Sequence, residues 1–140
     1  FIDKNLLKKM LKIFKKKKYS YFSNILEPSF PSGLHIEIFN FKTMKIAFRK
    51  AKSSSDREHV TPYIYKNKKF FFIGSFKNNK DLSFHRWTID YQQDFEFVKK
   101  IYKEFNYKNN FKMNDILKLL KEKPEIMKMN YYIKKKQNLL

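Results

Sequence analysis

The residues with the clearest capacity for chemistry are a few polar side chains beside predicted strands. Asp90 lies between a short apolar segment and an amphipathic helix, and His35 and Glu37 alternate with apolar residues. A carboxylate accepts hydrogen bonds from hydroxyl groups, and a histidine can bind a ligand or act as a base. Arg57, one of only three arginines, has a planar fork that pairs with a carboxylate or a phosphate. These residues predict a site for a polar ligand.

Each of these residues also has a purely structural interpretation. Asp90 could cap the helix that follows it. His35 and Glu37 could be solvated at the edge of a sheet, since such residues are mostly exposed. Glu58 could form an ion pair with Arg57 or Arg86, and the neighbouring histidine, residue 59, is as easily structural as a ligand. We interpret Arg86 and Trp87 as architectural, with the indole in the core.

Apolar periodicity predicts the elements that position these side chains. Helices are predicted at residues 6–14, 41–51, 95–105 and 114–120, with Asp3 and a serine cluster at 53–56 beginning helices. Strands are predicted at residues 19–24, 34–39, 70–73 and 86–90. Strands alternate with helices, so the fold class is α/β, with a layered and largely parallel sheet. Ligands gather at the carboxyl ends of such strands, near Asn24, Glu37 and Asp90.

Composition limits the class of protein. The 140 residues are 42% hydrophobic and 19% aromatic, which is enough apolar surface for a packed core. No stretch of about 18 uncharged apolar residues occurs, so no membrane-spanning helix is predicted. The absence of cysteine excludes disulfides, thiolate zinc sites and a cysteine nucleophile. We expect a cytoplasmic protein, and the first residue, Phe1, suggests a start within a longer reading frame.

The net charge of +19 raises the possibility of a nucleic-acid or membrane partner. However, 29 of the 32 basic residues are lysines, whereas nucleic-acid binders usually rely on arginine. Lysine, asparagine, isoleucine and phenylalanine are abundant, and A/T-rich codons encode all four. Compositional drift of the genome therefore explains the charge at least as well as an anionic partner does.

Four segments resemble one protein family. They read FPSGLHIEIF at residues 30–39, SDREHVTPYI at 55–64, DLSFHRWTIDYQQDF at 81–95 and DILKLL at 115–120, followed by Pro124. Together they resemble the second half of the spore coat polysaccharide biosynthesis protein F group. That group is similar to the acylneuraminate and keto-deoxy-octulosonate cytidylyltransferases. The resemblance spans residues 1–125, and the second and third segments are its specific parts.

The resemblance implies the C-terminal portion of a Rossmann-like nucleotidyltransferase, or nucleotide-diphospho-sugar transferase, fold. Such an enzyme joins a nucleotide from CTP to a sugar or sugar acid, releases pyrophosphate and serves surface polysaccharide biosynthesis. The family's Gly- and Arg-rich triphosphate loop precedes this region, so we expect the chain alone to be a truncated, inactive fragment. Residues 1–125 would belong to the nucleotidyltransferase domain, and residues 126–140 would form a basic tail that is poorly ordered from Tyr131.

The resemblance also assigns roles to residues. Asp90 lies in a context where relatives bind a metal, which would be Mg²⁺. Substrate-binding residues would be His35, Glu37, Arg57, Glu58 and His59, although many relatives carry aspartate at the position of His35. No catalytic residue is assigned, and a homodimer is expected only by analogy. Two other hypotheses stay open: a small basic nucleic-acid-binding module, and a non-catalytic remnant that folds with a partner fragment.

Overall fold

The structure, a computed structural model, describes the backbone of residues 1–137 and the side chains of residues 1–133. The chain divides into two compact units. The central unit consists of Leu7–Pro28 and Ile36–Lys77. The C-terminal unit consists of Phe1–Leu6, Ser29–His35 and the chain from Asn78 onward. The architecture is mixed α/β, as the sequence predicts.

The central unit contains a small sheet with the strand order β2-β1-β3. β1 (Tyr21–Ser23) pairs antiparallel with β2 (Glu37–Phe39) and parallel with β3 (Ile73–Ser75). The sheet is therefore mixed rather than largely parallel. Aromatic and β-branched residues suit such a pleated, half-buried surface. Tyr21 on β1 packs with Ala47, Ile64 and Phe71 in the core of this unit.

The helices begin where polar side chains satisfy free backbone N–H groups. α1 (Lys4–Lys17) is capped by Asp3, whose Oδ1 accepts hydrogen bonds from the backbone N–H groups of Asn5 and Leu6. α2 (Phe41–Lys50) is capped by Asn40 and α3 (Ser54–Glu58) by Ser53, while α4 (Pro62–Lys66) begins at a proline. The predicted caps of α1 and α3 are confirmed. On α2, Ala47 is buried whereas Phe48 is exposed.

The C-terminal unit is built from α5 (Gln92–Glu104), α6 (Met113–Glu122) and α7 (Pro124–Gln137). Its core brings together Leu34, Trp87, Phe97, Ile101, Ile116, Leu120 and Ile126. Trp87 is 2% exposed, so its predicted place in the core is confirmed. α6 begins at Met113, one residue before the predicted start of this helix, and Asp115 accepts a hydrogen bond from the Lys112 N–H.

Three of the predicted strands need correction. The strand predicted at residues 34–39 begins at Glu37. The segment 70–73, expected to be buried on both faces, exposes Phe70 and Phe72 by 76% and 58%, and the strand begins only at Ile73. Residues 86–90 form no strand, because Arg86 makes a single isolated bridge with Ser32. Segments of four to six residues carry too little periodicity to separate a strand from a packed loop.

The segment predicted as a basic tail is helical over the described part of the chain. α7 continues to Gln137, and Ile126 and Asn130 on it are buried. The expectation of poor order from Tyr131 stays a prediction, and residues 138–140 lie outside the described part. No helix in the described residues is long and apolar enough to cross a membrane.

Gly33 provides a test of the packing in the C-terminal unit. Its φ is +96°, and a Cβ there would lie 2.5 Å from the backbone oxygen of Trp87. We expect Gly33→Ala to lower the free energy of unfolding by about 2 kcal/mol or more, since both the backbone conformation and the contact oppose a side chain. Chemical unfolding of the purified chain measures this loss.

Gly74→Ala is the matched control. A Cβ at Gly74 would meet the Tyr19 ring at the same 2.5 Å, but a side chain can move more readily than a backbone carbonyl. We expect a smaller loss for Gly74→Ala, and equal losses for the two variants would contradict the backbone argument.

Candidate functional site

Asp90 lies in the loop that precedes α5, in the C-terminal unit. Its side chain is 55% exposed, and its Oδ2 accepts a hydrogen bond of 2.7 Å from Arg86 Nη2. The Thr88 hydroxyl lies 3.5 Å from Oδ1, a weak contact at best. The sequence predicts Asp90 at the end of a strand, but the structure places it in a loop. Asp90 does not cap α5 either. Its carboxylate is therefore accessible, and Arg86 engages one of its two oxygens.

The cap of α5 is formed by Asp94, which is fully buried. Its Oδ2 accepts hydrogen bonds from the backbone N–H groups of Asp90 and Tyr91 at 3.1 and 3.2 Å. Arg86 donates to both carboxylate oxygens, from Nε at 2.9 Å and from Nη2 at 2.8 Å. Asn130 Nδ2 donates to Oδ1 at 2.9 Å and to the Arg86 carbonyl at 2.9 Å. We call Arg86, Asp90, Asp94 and Asn130 the Arg86 cluster.

The electrostatics of the Arg86 cluster follow from this geometry. Burial alone would raise the pKa of Asp94, but the hydrogen bonds from Arg86 and Asn130 outweigh it and hold the pKa below its usual range. Hydrogen bonding to Asp94 raises the pKa of the Arg86 guanidinium. Both groups are therefore charged at neutral pH. Arg86 also lies over the Tyr91 ring, at 5.5 Å from its centre.

Asp90 is the candidate metal ligand, and its surroundings meet part of the requirement. Mg²⁺ is often held by one or two carboxylates together with water and substrate phosphates. The exposed Oδ1 of Asp90 fits the role of a single carboxylate ligand. Within the described residues, no group of three His, Cys, Asp or Glu side chains could hold a metal alone. Any Mg²⁺ at Asp90 would take its remaining ligands from water or from a bound substrate.

Glu37 lies at the start of β2, in the central unit, and is half-buried. It is directly opposite Ser23 on β1, and Ser23 is also opposite Ser75 on β3. The Tyr21 hydroxyl lies close enough to Ser23 and Glu37 for both to influence its pKa, which burial chiefly raises. We call Tyr21, Ser23, Glu37 and Ser75 the strand-end cluster.

Arg57, Glu58 and His59 are consecutive and exposed, at the end of α3 in the central unit. Arg57 Nε donates a hydrogen bond of 3.1 Å to the Ala51 carbonyl. The Arg57 side chain lines a groove of about 260 Å³, together with Met44, Ala47, Phe48, Ala51, Asp56 and Val60. No ion pair of the described part of the chain includes Glu58.

His35 is exposed and precedes β2, so it does not share that strand with Glu37. It belongs to the C-terminal unit, as Asp90 does, whereas Glu37, Arg57, Glu58 and His59 belong to the central unit. The predicted site residues thus fall into three local groups: the Arg86 cluster, the strand-end cluster and the end of α3.

Sequence reasoning missed several members of these groups. Asp94 had a detectable signal, because an acidic residue at the third position of a helix commonly bonds back to the residue before the helix. Asn130 gave no signal, since it lies 36 residues from Asp94 in sequence. Tyr21, Ser23 and Ser75 look like ordinary strand residues until the strand register is known.

Comparison with known proteins gives two relatives. The chain is 33% identical over 106 residues to an uncharacterized protein from Methanocaldococcus jannaschii, covering 74% of this chain and 43% of that protein. The structure is similar to that of a cytidylyltransferase from Leptospira borgpetersenii serovar Hardjo-bovis, with a TM-score of 0.84 and 27% identity. That similarity covers 90% of this chain and 53% of the solved chain. The chain thus spans about half the length of each relative. It matches no model of a known protein family.

The Arg86 cluster yields a prediction about stability. Asp94→Asn leaves a buried guanidinium without its main partner, and we expect it to cost about 3–5 kcal/mol in the free energy of unfolding. Asp90→Asn removes a partner from the same nitrogen at an exposed position, and we expect a cost of about 1 kcal/mol or less. Urea unfolding of both variants at pH 7 measures the difference.

Acid titration of stability provides the control for this prediction. Because the pKa of Asp94 is lower in the folded chain than in the unfolded chain, its stabilisation is present above the unfolded pKa of about 3.9. This stabilisation is lost as the pH falls through the folded pKa. The difference in the free energy of unfolding between the parent chain and Asp94→Asn should therefore become smaller below about pH 4. A constant difference down to pH 2 would argue against a charged Asp94.

Proposed function

We propose that this chain is the C-terminal portion of a Rossmann-like nucleotidyltransferase that uses CTP. In this proposal the whole protein transfers a cytidylyl group to a sugar or sugar acid for surface polysaccharide biosynthesis. The observation that carries it is the likeness to a solved cytidylyltransferase over nine-tenths of the chain. Three of the four segments that resemble the spore coat polysaccharide group contain the three N-terminal members of the Arg86 cluster, the start of β2 or the end of α3. Because the chain covers about half of that solved protein, the activity proposed is that of the whole protein.

The proposed reaction joins an acceptor hydroxyl to the α-phosphate of CTP and expels pyrophosphate. Catalysis of such transfers consists mainly of positioning and of neutralising charge on the phosphates. Bound Mg²⁺ would supply that neutralisation. Asp90 would contribute one carboxylate ligand, and Arg86 would fix its orientation through the bond to Oδ2. Asp94 and Asn130 would in turn hold Arg86, so they act as positioning residues rather than as ligands.

Other residues enter the proposal as substrate contacts. Glu37 would accept hydrogen bonds from acceptor hydroxyls. Arg57 would pair with a phosphate or carboxylate, since its fork suits either and its Nε is the group bonded to Ala51 among the described contacts. His35, Glu58 and His59 are exposed and could complete the contacts. A cytoplasmic location and a homodimer remain predictions, the homodimer by analogy alone.

A nucleic-acid-binding module remains the alternative, and one observation favours it. Phe70 and Phe72 expose their rings next to Lys68 and Lys69, a combination that suits base stacking and phosphate contact. Trp87 and Phe97 are buried and unavailable for stacking, whereas Phe84, Tyr91 and Phe95 are about half exposed. Oligonucleotide binding that persists at physiological ionic strength and falls steeply with added salt would favour this alternative.

Asp90→Asn tests the proposed function. In the protein expressed from the complete reading frame, we expect the substitution to lower Mg²⁺-dependent pyrophosphate release from CTP by two or more orders of magnitude, because the metal loses its protein carboxylate. A coupled pyrophosphate assay at saturating and at limiting Mg²⁺ measures the effect, and excess Mg²⁺ should restore part of the rate.

Glu96→Gln is the control, since Glu96 is a carboxylate of the same region whose described bond is to Gln92 on the surface of α5. It should leave pyrophosphate release within about twofold of the parent. Near-normal turnover in Asp90→Asn would remove Asp90 from the mechanism, and no turnover in the parent protein with any acceptor would contradict the proposed function.

A further inference from the structure

One side of α2, in the central unit, exposes large apolar side chains. Residues three and four positions apart lie on the same side of a helix. Phe41, Met44 and Phe48 have this spacing, and they are 77%, 42% and 77% exposed. The buried side of α2 carries Thr43 and Ala47 instead, so these three residues lie outside the core of the unit. We call Phe41, Met44 and Phe48 the apolar stripe.

Basic residues lie beside the apolar stripe. Lys42, Lys45 and Arg49 each follow a member of the stripe by one position, and all three are exposed. One position turns a helix by about 100°, so these residues form a row along one flank of the stripe. Their long aliphatic stems let the charged groups extend past the apolar side chains. α2 is therefore an amphipathic surface helix whose solvent side combines apolar groups with positive charge.

Strand register places the start of α2 at one particular end of the central sheet. Tyr21 on β1 is opposite both Phe39 on β2 and Ile73 on β3. Ser20 connects the neighbouring segments, because its carbonyl accepts a hydrogen bond of 3.4 Å from Asn40 and its N–H donates one of 2.8 Å to the residue before β3. The start of α2 and the segment before β3 therefore share one end of the sheet.

Two further aromatic rings are exposed at this end of the sheet. Phe70 and Phe72 are 76% and 58% exposed, and the Phe72 ring lies 4.7 Å from the Tyr19 ring. Lysines 15–18, which immediately precede Tyr19, are all exposed, as are lysines 68 and 69 before Phe70. We call the apolar stripe, Phe70, Phe72 and these neighbouring basic residues the aromatic–lysine surface.

The aromatic–lysine surface belongs to the more basic of the two units. The central unit has 17 lysines and arginines and 4 acidic residues, so it carries +13 of the net charge of +19. The sequence contains no aspartate or glutamate at positions 4–26, 38–55 and 59–80, the segments that build this surface. Compositional drift accounts for the number of lysines and phenylalanines. It does not account for the concentration of exposed ones at one end of one sheet.

We propose that the aromatic–lysine surface binds the surface of an anionic lipid bilayer. The exposed rings and Met44 enter the boundary between headgroups and acyl chains, and the lysines and Arg49 contact the anionic headgroups. An anionic bilayer presents negative charge over an extended area with an apolar layer beneath it, which matches the two properties of this surface. The inference goes beyond the proposed function, because it requires neither CTP nor an acceptor sugar.

Other occupants match the surface less well. Met44 offers no flat ring for a nucleic-acid base, and lysine lacks the planar fork with which arginine pairs with phosphates. A second copy of this chain would bring another strongly positive unit against the first, and like charges repel. Charge and apolar exposure together therefore favour the bilayer.

Vesicle co-sedimentation of the 140-residue chain tests the inference. One set of vesicles contains phosphatidylcholine with about 30% phosphatidylserine, and the other contains phosphatidylcholine alone. We expect the chain to bind the anionic vesicles at least about tenfold more tightly, and we expect added salt to weaken that binding because it screens the lysines.

Paired substitutions separate the position of the rings from their number. Phe41→Ala together with Phe48→Ala should weaken binding to the anionic vesicles about tenfold or more, because the apolar stripe loses its two rings. The urea unfolding midpoint should stay unchanged, since both rings are exposed. The matched control is Phe95→Ala together with Tyr132→Ala, which removes two exposed rings of the C-terminal unit and should change binding by less than about twofold.

A second pair of variants separates the position of the charges from the net charge. One replaces the basic row beside the apolar stripe, residues 42, 45 and 49, by glutamine. The other replaces three exposed lysines of the C-terminal unit, residues 99, 103 and 121, by glutamine. Both variants lose three positive charges, and we expect the first to weaken binding to the anionic vesicles about fivefold more than the second.

The outcomes that would overturn the inference are specific. They are equal binding to both kinds of vesicle, no binding to either, and equal losses in the test and control variants. Binding of a single-stranded oligonucleotide without binding of vesicles would assign the surface to nucleic acid. A dimer in analytical ultracentrifugation that the Phe41→Ala and Phe48→Ala pair abolishes, again without binding of vesicles, would assign it to a second copy. Pyrophosphate release from CTP, measured separately, tests the proposed function alone.

Discussion

Arg86 donates hydrogen bonds to both oxygens of Asp94 inside the C-terminal unit, and much of that unit is arranged around this ion pair. Two desolvated charges are costly unless every polar atom is satisfied. Here Asp94 also caps α5 and accepts a bond from Asn130 on α7, so the pair links a loop to two helices. The same guanidinium extends to Asp90 at the surface. A buried, satisfied pair thereby fixes the direction of an exposed carboxylate.

The different roles of Asp94 and Asp90 follow from the difference in their burial. Asp94 is fully buried and its hydrogen bonds are directed inward, so its contribution is to stability. Asp90 is more than half exposed and retains an oxygen without a strong partner among the described contacts, so it is free to meet a ligand. One arginine thus binds both aspartates. Loss of Asp94 should lower stability, whereas loss of Asp90 should affect ligand binding.

The central unit encloses its polar side chains within an apolar core. In its strand-end cluster the Tyr21 hydroxyl lies beside Ser23 and Glu37, and burial raises the pKa of that hydroxyl. The rest of this sheet face is apolar, since Tyr21 packs against Ala47 and Ile64, so the surrounding core holds the polar groups in place.

The sequence by itself determined the α/β class, the presence of α1, α2 and α5, the caps at Asp3 and Ser53, and the core position of Trp87. These depend on local periodicity and on hydrogen bonds between residues two to four apart, which a sequence displays directly. The strand predicted at residues 86–90 is absent because a segment of five residues does not reveal whether a partner strand exists.

Only the tertiary structure decided which polar residues meet. Asp94 accepts a hydrogen bond from Asn130, which lies 36 positions away, and Ser23 is opposite Ser75 because β1 and β3 pair in parallel. Contacts between distant segments are set by the packing of whole elements and by strand register. The type of a single residue predicts neither of them.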